Sequence, residues 1–135
     1  MNMQNKQRTI RNWDLANQRV DFTEFQNGKT RPCDIDGVLE YDNEILILLE
    51  IKRAGCDIPT GQRLVLQRLA DRWGDKAVVI FATHDYDDPK TDIPAELCSV
   101  EKIYNNKKWR KINGINLIEA LNKLGQHWKC DKLKF

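Results

Sequence analysis

Residues 33–52 read CDIDGVLEYDNEILILLEIK, and this stretch decides the fold. Apolar and polar side chains alternate over residues 33–41, which is typical of a strand with one acidic face. Residues 42–44, Asp-Asn-Glu, predict a turn. The run over residues 45–51 is apolar apart from Glu50, which is typical of a central strand that is covered on both faces. The stretch therefore predicts a β-hairpin.

The length of the hairpin loop decides which charged residues meet. A three-residue loop at residues 42–44 pairs the two strands so that directly opposed residues share a face. Asp36 then lies opposite Glu50, and Asp34 lies opposite Lys52. A two-residue loop would instead put the two aspartates on one face and Glu50 and Lys52 on the other. One face becomes a charged cluster and the other becomes apolar. The residues expected on the apolar face are Ile35, Leu39, Ile47, Leu49 and Ile51.

Carboxylates that converge in this way repel one another unless a cation or protons compensate their charge. Mg²⁺ is the natural candidate because it prefers carboxylate and carbonyl oxygens and retains water. Asp36, Glu50 and the Ile51 carbonyl would form a partial metal shell, and Mn²⁺ is expected to substitute. Lys52 can lower the pKa of a water that attacks phosphorus, and it can stabilise the charge of the transition state.

The rest of the chain predicts an α/β domain in which a helical crossover is followed by a second hairpin and a final helix. An apolar stripe predicts a helix over residues 62–75, and the apolar run that follows predicts a strand parallel to the central one. A second hairpin is predicted around an Asn105-Asn106 turn, followed by an amphipathic helix. The predicted ranges are 76–85 for the parallel strand, 97–104 and 107–112 for the second hairpin, and 116–128 for the last helix.

Composition limits the domain count and the compartment. At 135 residues and 41% apolar composition, residues 1–135 predict a single domain with one modest core. The N-terminus lacks the apolar segment of a signal peptide, and no run of about 18 apolar residues occurs. We therefore expect a cytoplasmic protein with no membrane partner.

Charge is balanced overall but is distributed unevenly. Lys and Arg number 22 against 20 Asp and Glu, and the net charge of +2 predicts no particular partner. Basic residues nevertheless concentrate in the second hairpin, where Lys107, Lys108 and Arg110 accompany aromatic side chains. These three residues are candidate contacts to nucleic-acid phosphates.

The motif T-R-P-C-D-I-D-G followed by L-L-E-I-K resembles the PD-(D/E)xK nuclease superfamily, and the similarity spans residues 30–84. More narrowly, P-x-D-I-D-G-x-x-E-Y with E-x-K and P-x-G-Q-R-L is similar to a group of small phage-encoded proteins of that superfamily. The resemblance implies a restriction-endonuclease-like αβββαβ core with a mixed central sheet flanked by helices. The C-terminal β-hairpin and helix would be additions to this core.

The resemblance also implies roles for single residues. Asp36 looks like the motif aspartate, Glu50 like the second acid and Lys52 like the motif lysine. Asp34 is an alternative main metal ligand, since superfamily members differ in which residue precedes the strand. Gln62 resembles a glutamine that several branches place near the metal or the scissile phosphate.

Two further positions follow from the resemblance. Arg63, which is next to the helix glutamine, is expected to contact phosphate. Many members carry an acidic residue on their first helix, and Glu24 and Asp14 both remain open as its counterpart here.

The function implied is that of a Mg²⁺-dependent endonuclease, with DNA favoured over RNA and a role in phage or prophage DNA processing in the cytoplasm of a bacterial host. One such site cuts one strand, so double-strand cleavage would require a homodimer. The alternative is a non-catalytic nucleic-acid-binding or partner-blocking protein that retains the nuclease fold. A binding protein should keep its activity when Lys52 is replaced.

Overall fold

The computed structural model describes residues 13–28 and 31–135. Thr30 and the first 12 residues, which the sequence analysis used, lie outside the described residues. The chain divides into two compact units, Met1–Pro32 and Cys33–Phe135. The described part of the first unit contains a short helix, α1, and a 3-10 helix. Helix α1 spans Trp13–Ala16 and includes Asp14, and the 3-10 helix spans Thr23–Phe25 and includes Glu24.

The second unit is built on one sheet. In the described residues this sheet has five strands in the order β1-β2-β3-β4-β5, the order in which they occur along the chain. Strands β2 and β3 are parallel and the other neighbours are antiparallel, so the predicted α/β class with a mixed sheet is confirmed. The elements are β1 (Gly37–Tyr41), β2 (Ile45–Arg53), α2 (Thr60–Trp73), β3 (Ala77–His84), β4 (Ser99–Asn105), β5 (Lys108–Lys111) and α3 (Leu117–His127).

The number of strands before α2 differs from the αβββαβ order. The described residues contain two strands there, β1 and β2, whereas that core has three. In the described residues before β1, the segment around residues 20–25 contains the 3-10 helix and no strand. The Asp21 carboxylate accepts hydrogen bonds from the N–H and hydroxyl of Thr23, and such local bonds compete with extended structure.

The β1–β2 hairpin has the predicted three-residue loop. Tyr41 pairs with Ile45, and the ladder runs to the pair Gly37 and Leu49. Asp42 and Asn43 take positive φ values of 57° and 60°, a conformation that Asn and Asp tolerate better than most residues. The predicted register is confirmed over this ladder.

Strand β1 starts later than predicted. It begins at Gly37, so Asp34 and Asp36 precede the strand and do not lie on it. The alternation of faces therefore stops at Gly37. Ile35 was expected with Leu39 and the other residues of the apolar face, but it packs against the opposite face of the sheet.

The central strands β2 and β3 are buried on both faces, and each face is covered by a different helix. We call these two sides of the sheet the α2 face and the α3 face. The connection β2–α2–β3 is the predicted crossover. The core of the α2 face contains Leu46, Leu48, Leu66, Ala70, Ala77, Val79 and Tyr104. The core of the α3 face contains Ile45, Ile47, Val78, Ile80, Val100, Leu117, Ala120, Leu121 and Leu133.

The β4–β5 hairpin turns one residue later than predicted. Asn105 pairs with Lys108, so the two turn residues are Asn106 and Lys107, with φ values of 52° and 63°. The reason is a tertiary contact: the Asn105 side chain donates hydrogen bonds to the carbonyl oxygens of Asp75 and Ala77, at 3.2 and 2.9 Å. These bonds hold Asn105 in the strand.

Helix α3 starts with a reciprocal pair of hydrogen bonds. The Asn116 side chain accepts from the Glu119 N–H at 2.9 Å, and the Glu119 carboxylate accepts from the Asn116 N–H at 3.2 Å. This capping box satisfies two N–H groups that the helix itself cannot pair.

Asn116→Ala is expected to lower the free energy of unfolding by about 1 kcal/mol because the cap is lost. Urea denaturation followed by circular dichroism measures this change. Asn113→Ala, at an exposed position in the preceding loop, is the control and should stay within about 0.5 kcal/mol of the wild type. Equal effects of both substitutions would argue against the cap.

The helices of the described residues are short. The longest, α2, has 14 residues, and none of them is both long enough and apolar enough to cross a membrane.

Candidate functional site

Asp36 lies at the edge of β2, directly before the first residue of β1. Its Oδ2 accepts a hydrogen bond from the Ile51 N–H at 2.8 Å. The β1–β2 ladder ends at Leu49, so Ile51 is the next residue of β2 that faces this edge. The N–H and C=O of a strand residue point to the same neighbouring strand. The Ile51 carbonyl therefore faces the edge where the Asp36 carboxylate lies.

Glu50 is a buried acid on the central strand. Its side chain is on the α2 face, follows Leu46 and Leu48 in the alternation, and is 0% exposed. Neither carboxylate oxygen has a hydrogen-bond partner of good geometry in the described residues. Its close polar contact is an ion pair, in which the Lys52 Nζ lies 3.2 Å from Oε2. A buried carboxylate without hydrogen bonds is costly, and it needs a compensating group.

The surroundings of Glu50 change its acidity. Burial raises the pKa of the Glu50 carboxyl above its ordinary value. The neighbouring carboxylate of Asp36 raises this pKa further, while the ammonium group of Lys52 opposes the shift. Perturbation of this kind is common where a site is built to hold charge.

Gln62 connects helix α2 to the segment that carries the aspartates. Its Nε2 donates a hydrogen bond to the Asp34 carbonyl oxygen at 3.0 Å. The predicted pairing of Asp34 with Lys52 does not form as a ladder pair, because residue 34 lies before β1. The structure therefore brings Asp34 to the site through its backbone, and its side chain is exposed.

Arg63, in the first turn of α2, lies near an acid that the sequence analysis did not single out. Its Nε is buried without a hydrogen-bond partner in the described residues. The pKa of Asp57 lies below its ordinary value, chiefly because the Ile58 N–H donates to its carboxylate and also because Lys102 and Arg63 are close. Lys102 Nζ is 3.4 Å from Asp57 Oδ1.

A second pair was also missed. Thr83 is the register partner of Lys52 on β3, and its hydroxyl donates to Glu101 Oε2 at 2.8 Å. These residues come from three separate segments of the chain, which contain Asp57, Thr83, and the adjacent pair Glu101 and Lys102. No sequence spacing connects them to the hairpin motif, so only the folded structure shows the relation.

The basic residues of the second hairpin, which were predicted to bind nucleic acid, lie away from the site. Lys107 and Lys108 are at the β4–β5 turn, which is near the start of β3, whereas Glu50 and Lys52 are near the end of β2. Arg110 pairs with Ile103, whose side chain packs on the α3 face, so Arg110 shares the face opposite to Glu50.

The residues that could hold a metal ion are few. No group of three or more His, Cys, Asp or Glu suited to a metal occurs in the described part of the chain. Mg²⁺, however, is usually held by one or two carboxylates together with waters and substrate phosphate. Asp36, Glu50 and the Ile51 carbonyl fit that smaller requirement. The Glu50 oxygens, which lack hydrogen-bond partners in the described residues, are the structural feature that a cation would satisfy.

Comparison with known proteins adds no assignment. Searches against protein-family models, curated proteins and solved structures found no significant match to this chain.

Proposed function

We propose that the chain is a divalent-metal-dependent nuclease that hydrolyses phosphodiester bonds of nucleic acid. The site consists of Asp36, Glu50, Lys52 and Gln62. The observation that carries the proposal is the buried Glu50 carboxylate, which lacks hydrogen-bond partners among the described residues and lies 3.2 Å from the Lys52 ammonium. A carboxylate and an ammonium placed in this way suit a site that holds a cation beside an anionic substrate.

Asp36, Glu50 and the Ile51 carbonyl would hold Mg²⁺, or Mn²⁺ in its place, and Asp34 would contribute from the adjoining segment. When bound, the metal acts as a Lewis acid and lowers the pKa of its water. Asp36 is fixed for this role because its second oxygen already accepts the Ile51 N–H. Orientation of first ligands by such backbone contacts is a common feature of metal sites.

Lys52 acts on the substrate. Its side chain is 30% exposed, so it reaches both Glu50 and solvent. There it donates a hydrogen bond to the attacking water and stabilises negative charge on a phosphate oxygen. Gln62 is a positioning residue, since its hydrogen bond to Asp34 fixes the aspartate segment against α2.

The test is cleavage of supercoiled plasmid and of single-stranded and branched oligonucleotides with Mg²⁺, Mn²⁺ or EDTA. DNA and RNA are both offered, and DNA is the substrate we expect. Lys52→Ala should reduce the rate at least about 10²-fold, because it removes a group that acts in the transition state. Asp36→Asn should have a similar effect.

Arg53→Ala is the matched control, because it removes a positive charge from the next, exposed residue of β2. We expect its rate within about threefold of the wild type, as for a surface change. If nucleic acid binds but is not cut by the wild type with any of these metals, the non-catalytic binding protein becomes the better account. Cleavage of both strands by a dimer, measured alongside sedimentation, would support the homodimer.

A further inference from the structure

Lys102 lies on the same face of the sheet as the candidate site. It pairs with Phe81 on β3, and Phe81 pairs with Glu50 on β2. Paired residues of neighbouring strands share a face, and strands are about 4.8 Å apart, so the Lys102 and Glu50 backbones are about 10 Å apart. At that separation Lys102 is not placed to contact the phosphate that is cleaved. Its side chain can instead reach a neighbouring phosphate of a bound nucleic-acid strand.

The Lys102 ammonium is held in place by two aromatic rings. Its Nζ lies 5.5 Å from the centroid of the Phe81 ring and 5.0 Å from that of Trp109. Trp109 is itself fixed, because its indole N–H donates to Gln67 Oε1 on α2 at 2.7 Å. Rings in this position attract a cation and restrict its motion. The Lys102 charge is therefore preorganised and remains 23% exposed.

Asp57 neutralises this charge from the solvent side. Its carboxylate is 3.4 Å from Lys102 Nζ, and its side chain is 73% exposed. Arg63 lies in the first turn of α2, and its Nε is buried without a hydrogen-bond partner in the described residues. An ion pair whose carboxylate is mostly exposed is weak, so an anion with more charge can displace the carboxylate.

We propose that Lys102 and Arg63 bind a substrate phosphate that neighbours the cleaved one, and that Asp57 occupies this position when no substrate is bound. The inference rests on the proposed function for the identity of the ligand as nucleic acid. It assigns the phosphate contacts beyond the metal site to the start of α2 and to β4, whereas the basic residues of the β4–β5 turn lie at the other end of the sheet.

The experiment is a binding titration by fluorescence anisotropy with labelled single-stranded and duplex oligonucleotides, in EDTA and over a range of salt concentrations. Lys102→Ala should weaken binding about five- to tenfold, and the slope of log K against log salt should fall by about 0.7 to 0.9, as expected for one lost phosphate contact. Asp57→Asn should tighten binding severalfold, because it removes the competing charge and keeps the acceptor for Ile58.

Lys123→Ala is the matched control for loss of one positive charge, and we expect less than about a twofold change because Lys123 is exposed on α3, on the other face of the sheet. Equal weakening by Lys102→Ala and Lys123→Ala, or unchanged binding in Asp57→Asn, would overturn the inference. If Lys102→Ala does not fold, the gain in Asp57→Asn still decides it. The titration contains no metal, so it measures binding even if the protein cuts no substrate. If the protein cuts nucleic acid but Lys102→Ala binds it as tightly as the wild type, this inference fails and the proposed nuclease function stands.

Discussion

Glu50→Gln is expected to make the fold more stable while it abolishes cleavage. The raised pKa of Glu50 means that the folded chain prefers the protonated carboxyl, since burial penalises the charge. The folded state therefore holds more protons than the unfolded state between the two pKa values, and the free energy of unfolding falls as pH rises through that interval. Ionisation of this buried carboxyl therefore destabilises the fold, and glutamine removes the charge with little change in shape.

We expect the free energy of unfolding at pH 7 to increase by about 1 to 3 kcal/mol, the usual cost of a buried polar group without partners. Thermal unfolding between pH 5 and pH 8 measures this effect, and the dependence on pH should be weaker in the variant than in the wild type. Cleavage should fall at least about 10³-fold with the loss of a metal ligand. Addition of Mg²⁺ should raise the Tm of the wild type alone.

Glu96→Gln is the control for this experiment, because Glu96 is exposed and should show neither effect. A Glu50→Gln variant that unfolds more easily than the wild type at neutral pH would show that the carboxylate charge is stabilising. The explanation in terms of a buried charge that Lys52 compensates only in part would then be rejected. Loss of the Glu50 charge leaves Lys52 without its anionic partner. Water can replace that partner because 30% of the Lys52 side chain is already exposed.

Gly125→Ala is expected to destabilise the protein strongly. A Cβ at Gly125 in α3 would lie 2.2 Å from the Leu133 carbonyl oxygen and 2.7 Å from the Leu133 Cβ. Leu133 is 2% exposed and belongs to the core of the α3 face, so neither side can move without loss of packing. We expect the free energy of unfolding to fall by about 3 kcal/mol.

Gly61→Ala in the first turn of α2 is the matched control, because its Cβ would meet no atom within 4 Å. Alanine there should stabilise the helix by about 0.5 to 1 kcal/mol. Urea denaturation of both variants gives the comparison, provided that the slope with denaturant is unchanged. Similar effects of the two substitutions would mean that the C-terminal segment does not pack on α3 in solution.

The hairpin and the crossover could be predicted because their signals are local. Loop length and the alternation over residues 37–41 fix the β1–β2 register, and the apolar runs of β2 and β3 indicate buried neighbours. Asp36 shows where such local signals fail. The alternating pattern continues through residue 36, but the backbone leaves the ladder at Gly37, and a side chain replaces it as the acceptor for Ile51.

The outer part of the candidate site could not be predicted, because it depends on contacts between distant segments. In the sequence, Lys102 is one of several basic residues between positions 102 and 111. Nothing in this segment distinguishes Lys102 from Lys108. Its position beside Phe81 results from the register of β3 and β4, which includes a bulge between residues 81 and 82. The register of an antiparallel pair joined by a long loop is not fixed by a turn signal.

The order of the strands in the sheet has a consequence for folding. Each strand pairs with its neighbour in sequence, so the sheet can grow by one strand at a time. The widest separation between paired residues of the sheet is the 31 residues of the β2–β3 ladder, as from Leu46 to Ala77. Contacts between near segments form faster than contacts between remote ones. Asp36, Glu50 and Lys52 can therefore assemble with the first hairpin, whereas Lys102 arrives only when β4 docks.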